Sequence, residues 1–305
     1  MSSFASLALL VGGIVLVVAG AELFFDGLLA AAARFGVSAF LLTVVVSGFE
    51  LENLAAGIAA NAKGLPDAAA GTFLGGTTFL ALAVSGLGAV LAPLRAQLPA
   101  AVLLWTAAAP LPMLGLALDG GLSRLDGGIL VTWFGLAMVG LWRSGRQVLE
   151  SAPTERKRFA LLRVFIGLAV LTAAGDMLGE GIRRAVSRFG VSQALLGNTA
   201  VAASVEAEEV VRVAAPARRG RGDVALGNIV GTIVHFIAFN SGVIALVRPL
   251  DLGSDSRWLH LPVAVASPLV LVGLIAWHGG LGRAAGVFLL VLYVAYVATS
   301  VAISL

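Results

Sequence analysis

A short acidic stretch in the second half of the chain is the strongest candidate for chemistry. Glu206, Glu208 and Glu209 lie within four consecutive positions, inside the otherwise apolar residues 191–211. Charged side chains at the depth of a lipid bilayer are costly, and they usually face the interior of a helix bundle or a water-filled path. Carboxylates suit hard cations, because these ions bind clustered oxygen atoms. The stretch therefore predicts a cation site inside a membrane protein.

A matching stretch in the first half contains Glu50, Glu52 and Asn53. Residues three apart share a face of a helix, so Glu50 and Asn53 should point the same way. The same spacing relates Glu206 to Glu209. We therefore expect these two pairs to meet at the centre of the protein, and we place the side chains of Glu52 and Glu208 away from that face.

Crowding of carboxylates gives such a site two kinds of occupant. Like charges and desolvation both disfavour the ionised forms of neighbouring carboxyl groups. A metal ion relieves the repulsion by binding several carboxylates at once. Protons relieve it by binding the carboxylates one at a time. The cluster can hold either, which provides a physical basis for exchange.

The composition indicates a polytopic membrane protein. Of the 305 residues, 59% are hydrophobic and 12% are charged, and the mean hydropathy is +0.99. A soluble domain is about half apolar and about a quarter charged. Cysteine is absent and the three histidines are scattered, which argues against disulfides, thiolate sites and an HExxH zinc site. We expect no enzyme activity, no cofactor apart from transported cations, and no nucleic-acid partner.

Ten apolar segments are long enough to cross a bilayer, which takes about 20 residues per helix. They cover residues 5–33, 37–62, 66–92, 98–118, 125–143, 160–187, 191–216, 222–248, 258–277 and 281–303. A hydrophilic connection from Arg143 to Lys157 divides them into two sets of five. We predict an all-α membrane protein with a first five-helix repeat at residues 1–143, a cytoplasmic linker at 144–159 and a second five-helix repeat at 160–305.

The two halves repeat each other in sequence. Residues 19–38 read AGAELFFDGLLAAAARFGVS, and residues 173–192 read AAGDMLGEGIRRAVSRFGVS. Because each half has an odd number of spans, the second must enter the membrane from the opposite side. Ten transmembrane helices in two inverted repeats are an architecture typical of secondary transporters, whose substrate site lies near the bilayer midplane.

Basic residues indicate the orientation. With both termini outside, most Lys and Arg residues, Arg212 among them, fall on the inner side, as the positive-inside rule requires. We expect an integral protein of a bacterial cytoplasmic membrane, with both termini outside and the linker inside.

Other polar residues in the spans have structural explanations. Asp67 and Asp223 each begin a span, so we expect them to cap helix N-termini. Glu22 and Asp26 lie towards a span end and could pair with arginines such as Arg183 or Arg184. His235 lies one turn from Thr232 and could line the same cavity, but we expect a neighbouring backbone carbonyl to satisfy the ring.

Several motifs carry a resemblance to a known family. The second half contains Arg188-Phe189-Gly190-Val191-Ser192, then Glu209, then Gly222-Asp223-Val224-Ala225-Leu226-Gly227-Asn228. The first half contains Gly36-Val37-Ser38, Gly48 through Asn53, Asp67 and Gly71. Both halves resemble the alpha-repeats of the cation/calcium antiporter superfamily, the sodium/calcium exchanger-like membrane domain. The resemblance implies breaks in the second and seventh spans near Glu50 and Glu206, and long, tilted first and sixth spans.

The chain departs from the family pattern at the ion site. The family's first-repeat glutamate is Asn53 here, its motif serines are Glu50 and Glu206, and its motif prolines are Glu52 and Glu208. Its Gly-Ser pairs are Gly75-Gly76 and Gly231-Thr232, and its downstream Asn or Asp ligand positions hold Leu80 and Phe236. Neutral oxygen ligands are lost while carboxylates are gained. We therefore expect transport to depend more steeply on pH than on sodium.

The resemblance implies a secondary antiporter that exchanges a metal cation, Ca²⁺ by family default, for Na⁺ or H⁺. The candidate metal ligands are Glu50, Asn53, Glu206 and Glu209, with Glu52, Glu208 and Thr232 as weaker candidates. The alternative is a degenerate family member without transport, which acts as a membrane interaction or sensor protein. The added carboxylates argue against it, because decay would tend to remove costly buried charge.

Overall fold

A computed structural model describes residues 3–46, 48, 51–146, 148, 159–186 and 207–304. Within these residues the chain is helical apart from short strand pairs. Seven helical segments of this part are long and apolar enough to cross a membrane. With backbone groups hydrogen-bonded inside each helix, such segments suit a bilayer. The protein is an all-helical integral membrane protein.

The first half begins with a helix of 33 residues. Its elements are α1 (Ser3–Phe35), α2 (Ala39–Val46), α3 (Leu51–Ala62), α4 (Pro66–Thr78), α5 (Ser85–Leu91), β1 (Leu94–Arg95), α6 (Ala100–Ala108), α7 (Leu111–Leu116), β2 (Gly121–Leu122) and α8 (Arg124–Gly145). A π-helical turn, Phe79–Val84, joins α4 to α5, and a 3-10 turn, Ala117–Asp119, follows α7.

The second half also begins with a long helix, α9, of 27 residues. Its described elements are α9 (Ala160–Val186), α10 (Ala207–Arg218), α11 (Gly222–Val234), α12 (Ser241–Val247), β3 (Leu250–Asp251), α13 (Leu261–His278), β4 (Gly280–Leu281) and α14 (Arg283–Ser304). Two π-helical turns, His235–Asn240 and Ser256–His260, precede α12 and α13.

The seven membrane-length segments coincide with seven of the ten predicted spans. The second, sixth and seventh predicted spans do not form such a segment. The predicted second span is interrupted, because α2 ends at Val46, Gly48 lies in a turn and α3 begins at Leu51. The sixth, α9, is apolar only over Ala160–Gly175. The seventh lies partly outside the described residues, as do its predicted break and most of the predicted linker.

From α4 and from α11 onward, the two halves contain similar elements in the same order. The π-helical turns Phe79–Val84 and His235–Asn240 occupy corresponding places, between α4 and α5 and between α11 and α12. Strand β1 pairs with β4, and β2 pairs with β3, both antiparallel. Each strand pair therefore joins one half of the chain to the other.

Glycine pairs bring helices of the two halves into close contact. A Cβ atom added to Gly86 of α5 would lie 2.9 Å from the carbonyl oxygen of Gly286 on α14. One added to Gly127 of α8 would lie 2.7 Å from the carbonyl oxygen of Gly242 on α12. Small residues at both positions allow the backbones to approach, as is common between membrane helices.

The first helices of the two halves also pack together. A Cβ atom added to Gly27 of α1 would lie 2.7 Å from the backbone nitrogen of Val164 on α9. A Cβ atom added to Gly167 of α9 would lie closer still, 2.4 Å from the backbone nitrogen of Phe24. Phe24 is buried in this contact and belongs to a hydrophobic cluster with residues of both helices. Its ring faces α10, which carries the acidic stretch.

Candidate functional site

Four polar side chains converge in the interior where α10 meets α11. Their relative exposures are 5% for Glu208, 2% for Glu209, 5% for Arg212 and 1% for Asn228. Buried ionised groups are stable only when they are paired and hydrogen-bonded. The contacts among these four residues provide that pairing.

Arg212 contacts both glutamates. One terminal nitrogen of its guanidinium donates to Oε1 of Glu209, and the other donates to Oε1 of Glu208. The local sequence explains the geometry, because side chains three and four residues apart on a helix are neighbours. The planar, forked guanidinium presents separate N–H groups to two acceptors at once.

Asn228, on the next helix, contacts the second carboxylate oxygen of Glu209. Its side-chain Nδ2 donates to Oε2 of Glu209 over 2.7 Å. The amide oxygen of Asn228 therefore points elsewhere, and within the described part of the chain no donor reaches this buried atom. A carbonyl oxygen without a donor, beside a carboxylate, is the kind of ligand that hard cations bind.

Helix α11 packs closely against α2, which belongs to the first half of the chain. A Cβ atom added to Gly227 would lie 2.9 Å from the carbonyl oxygen of Phe40, and Gly231 approaches the carbonyl oxygen of Val44 still more closely. Side chains at these two positions would push α11 away from α2. The glycines thus bring α11, the helix that carries Asn228, close against α2.

The structure locates the other predicted ligands only in part. Thr232 is fully buried on α11, one turn beyond Asn228. Asn53 is partly buried on α3. Glu50 and Glu206 lie outside the described residues, as does the side chain of Glu52. Convergence of both acidic stretches on one site therefore stays a prediction. Within the described residues, no group of three His, Asp or Glu side chains is placed to hold a metal ion.

His235 begins the π-helical turn after α11 and is fully buried. Its Nδ1 lies 2.8 Å from the carbonyl oxygen of Gly231, which is the structural role expected for it. The Phe134 ring packs edge-on against the imidazole at a centroid distance of 4.7 Å. A Cβ atom at Gly48 would overlap the imidazole, so the turn in the second span needs glycine there.

Two predicted helix caps are corrected by the structure. Asp67 does not cap α4, since its carboxylate accepts from the backbone nitrogen of Gly253 at 2.9 Å and the hydroxyl of Ser256 at 2.7 Å. Asp223 does not cap α11 either, since it accepts from Arg221 at 3.0 and 2.8 Å. Asp67 instead joins α4 to the segment after β3, and Asp223 forms an ion pair with Arg221.

A salt bridge joins α1 to the connection after α10. Arg219 donates to Glu22 at 3.0 Å and to Asp26 at 3.1 Å, and its side chain is 42% exposed. These acidic residues thus pair with an arginine, Arg219, while the side chains of Arg183 and Arg184 lie outside the described residues. Because the group is exposed to solvent, it contributes little to stability.

Sequence reasoning missed two residues of the site. From the sequence, Arg212 counts among the basic residues of the inner side, whereas the structure buries it against Glu208 and Glu209. The spacing of three and four residues is the signal that could have found it. Glu208, expected to point away from the site face, shares this arginine with Glu209. The sequence shows Asn228 only as part of a motif, and its contact with Glu209 depends on how two helices pack.

Comparisons with known proteins support this architecture. Inner membrane protein YrbG of Escherichia coli is 29% identical over 92% of both chains. The putative antiporter CaxA of Alkalimonas amylolytica is 27% identical, over 93% of this chain and 95% of that protein. A solved structure of the sodium-calcium exchanger NCX_Mj has the same fold, with a TM-score of 0.82 at 23% identity, over 97% of this chain and 99% of that one.

The family model described as sodium/calcium exchanger protein matches residues 5–143 and 159–302. The match includes both halves and omits the hydrophilic connection between them. The chain belongs to the sodium/calcium exchanger protein family.

Proposed function

We propose that the protein is a secondary antiporter that exchanges a metal cation, Ca²⁺ by family default, for Na⁺ or H⁺. The observation that carries this proposal is the buried Glu209 beside the amide oxygen of Asn228, an oxygen without a donor in the described part of the chain. A carboxylate and a free carbonyl oxygen in a membrane interior form a partial cation site. The names of CaxA and of NCX_Mj agree with such an activity.

Ten spans in two inverted repeats would place this site at the midplane. The recurring order of elements in the two halves, and the strand pairs that join them, support that architecture. Inverted repeats allow alternating access, because one repeat moves against the other around a fixed site. Both termini would lie outside. A bacterial inner membrane as location is supported by the name of the E. coli relative.

The remaining ligands would come from both acidic stretches. Glu50 and Asn53 would join from the first half, and Glu206 and Thr232 would join from the second. Glu208 and Glu52 are weaker candidates. A site with several carboxylates and few neutral oxygens favours protons over sodium as the exchanged ion, because each carboxylate binds one proton without a wider coordination shell.

Flux measurements in proteoliposomes test this proposal. Ca²⁺ movement is followed with an indicator under a sodium gradient at fixed pH, and then under a pH gradient without sodium. We expect flux under the pH gradient to exceed flux under the sodium gradient. Flux driven by sodium alone would contradict proton coupling and leave antiport intact. An absence of flux under both gradients, for Ca²⁺ and for other divalent cations, would contradict antiport and favour the non-transporting alternative.

A further inference from the structure

We propose that Arg212 is a built-in counter-cation, which occupies the carboxylates of Glu208 and Glu209 in place of one exchanged cation. The proposal deepens the antiporter function and rests on it. Arg212 would therefore determine which ions this site requires. Cation entry to Glu209 would demand that the guanidinium be displaced or that it share the carboxylate.

The contacts support a fixed guanidinium. Both terminal nitrogens of Arg212 are engaged, one with each glutamate, and all three side chains are almost fully buried. The Phe24 ring of α1 lies 6.0 Å from the guanidinium carbon, within the range of a cation–π contact. Arg212 is thus held by carboxylates on one helix and by an aromatic ring on another.

The charges explain why the guanidinium matters for ion binding. Among the described residues, one guanidinium faces two carboxylates, and together they carry a net charge of −1 when all three are ionised. Without Arg212 the same two carboxylates would carry −2 in a buried setting, where charge must be compensated. An external cation or protons would then have to provide the positive charge that the guanidinium provides in wild type.

Coordination leads to the same conclusion. Oε1 of Glu209 accepts from Arg212 and Oε2 accepts from Asn228, so each oxygen already has a donor. Because each carboxylate oxygen has a further lone pair, a metal ion that binds Glu209 must either displace the guanidinium or share the carboxylate with it. Arg212 is therefore the competitor that sets how strongly Glu209 binds a cation.

Thermal unfolding of the purified protein in detergent tests this competition without any transport step. Melting temperature is measured against NaCl and CaCl₂, with N-methylglucamine chloride used to hold the ionic strength constant. Wild type should show only a weak rise with either cation. Arg212→Gln should show a larger rise, by about 2–4 °C more at saturating cation, because ligand binding to the folded state raises stability.

Arg219→Gln is the matched control. It removes the same charge from an arginine that also binds two carboxylates, but at an exposed site. Its cation dependence should equal that of wild type. Chemical rescue adds a second readout: Arg212→Ala should be stabilised by methylguanidinium more than by methylammonium, and Arg219→Ala should not discriminate between them.

Equal cation dependence in wild type and Arg212→Gln, with no selective rescue of Arg212→Ala, would overturn the proposal. If the single variants fail to fold, Glu208→Gln/Arg212→Gln is compared with Glu208→Gln, because the double variant removes an opposite charge pair. The double variant should be stabilised by cations more strongly, and an equal response would overturn the proposal. Flux separates the two hypotheses: if wild type transports no cation while Arg212→Gln still shows the larger cation-dependent shift, antiport alone is contradicted.

Discussion

Replacement of Asn228 by leucine should destabilise the protein and weaken its response to cations. The substitution keeps the approximate size of a side chain that is 1% exposed, and it removes the 2.7 Å hydrogen bond to Oε2 of Glu209. A hydrogen bond to a charged group is worth about 1.5–3 kcal/mol, and the carboxylate oxygen left behind stays buried. We expect unfolding to become easier by about 2–3 kcal/mol, which lowers the melting temperature by about 4–12 °C.

Asn61→Leu is a suitable control for this prediction. Asn61 is also buried, and its Nδ2 donates to the backbone carbonyl of Arg248 at 2.6 Å, away from the acidic site. A neutral hydrogen bond contributes about 0.5–1.5 kcal/mol, so the melting temperature should fall by about 1–6 °C. Only Asn228→Leu should also lose cation-dependent stabilisation, because only that position offers a free carbonyl oxygen next to a carboxylate.

The assay is thermal unfolding in detergent with and without CaCl₂, followed by flux in proteoliposomes. We expect Asn228→Leu to reduce flux strongly and Asn61→Leu to leave most of it. The reasoning would be refuted if Asn228→Leu unfolded no more easily than Asn61→Leu and kept the calcium response and flux of wild type.

Two further predictions concern the site and the helix contacts. Glu209→Gln should abolish cation flux while the protein still folds, because the amide cannot bind a proton or neutralise a cation; flux in proteoliposomes at wild-type level would count against the site. Gly286→Ala should lower the melting temperature, because its Cβ would lie 2.7 Å from the carbonyl oxygen of Gly86, and overpacking costs about 1–3 kcal/mol. Gly135→Ala on α8, where nothing lies within 4 Å of the added Cβ, should be neutral or stabilising, and an equal loss in both variants would argue that packing is not the cause.

Much of the architecture follows from the sequence alone. In a bilayer every backbone polar group must be satisfied locally, so apolar segments of sufficient length become helices with few alternatives. The helices Gly222–Val234, Leu261–His278 and Arg283–Ser304 accordingly fall within or close to the predicted spans. The motif resemblance also predicts the interruption of the second span between Val46 and Leu51, although the motif proline is absent.

The role of each polar side chain was decided by tertiary packing. Asp67 and Asp223 have the same place in their repeats, yet one contacts Ser256 beyond β3 and the other pairs with Arg221. Their sequence positions suit helix capping equally well. The fold decides which hydrogen-bond donors lie near each carboxylate, and the distances between them cannot be read from the sequence.

The acidic site likewise combines features set by the sequence with features set by the tertiary structure. The sequence determined that carboxylates stand in an apolar stretch, and the spacing of three and four residues already made Arg212 a neighbour of Glu208 and Glu209. Only the tertiary structure decided which other groups surround them: the ring of Phe24 packs against Arg212, and Asn228 reaches Glu209 from α11. The physical reason is that burial makes an unpaired charge so unfavourable that the nearest donors determine the arrangement, and which donors are nearest depends on how the helices pack.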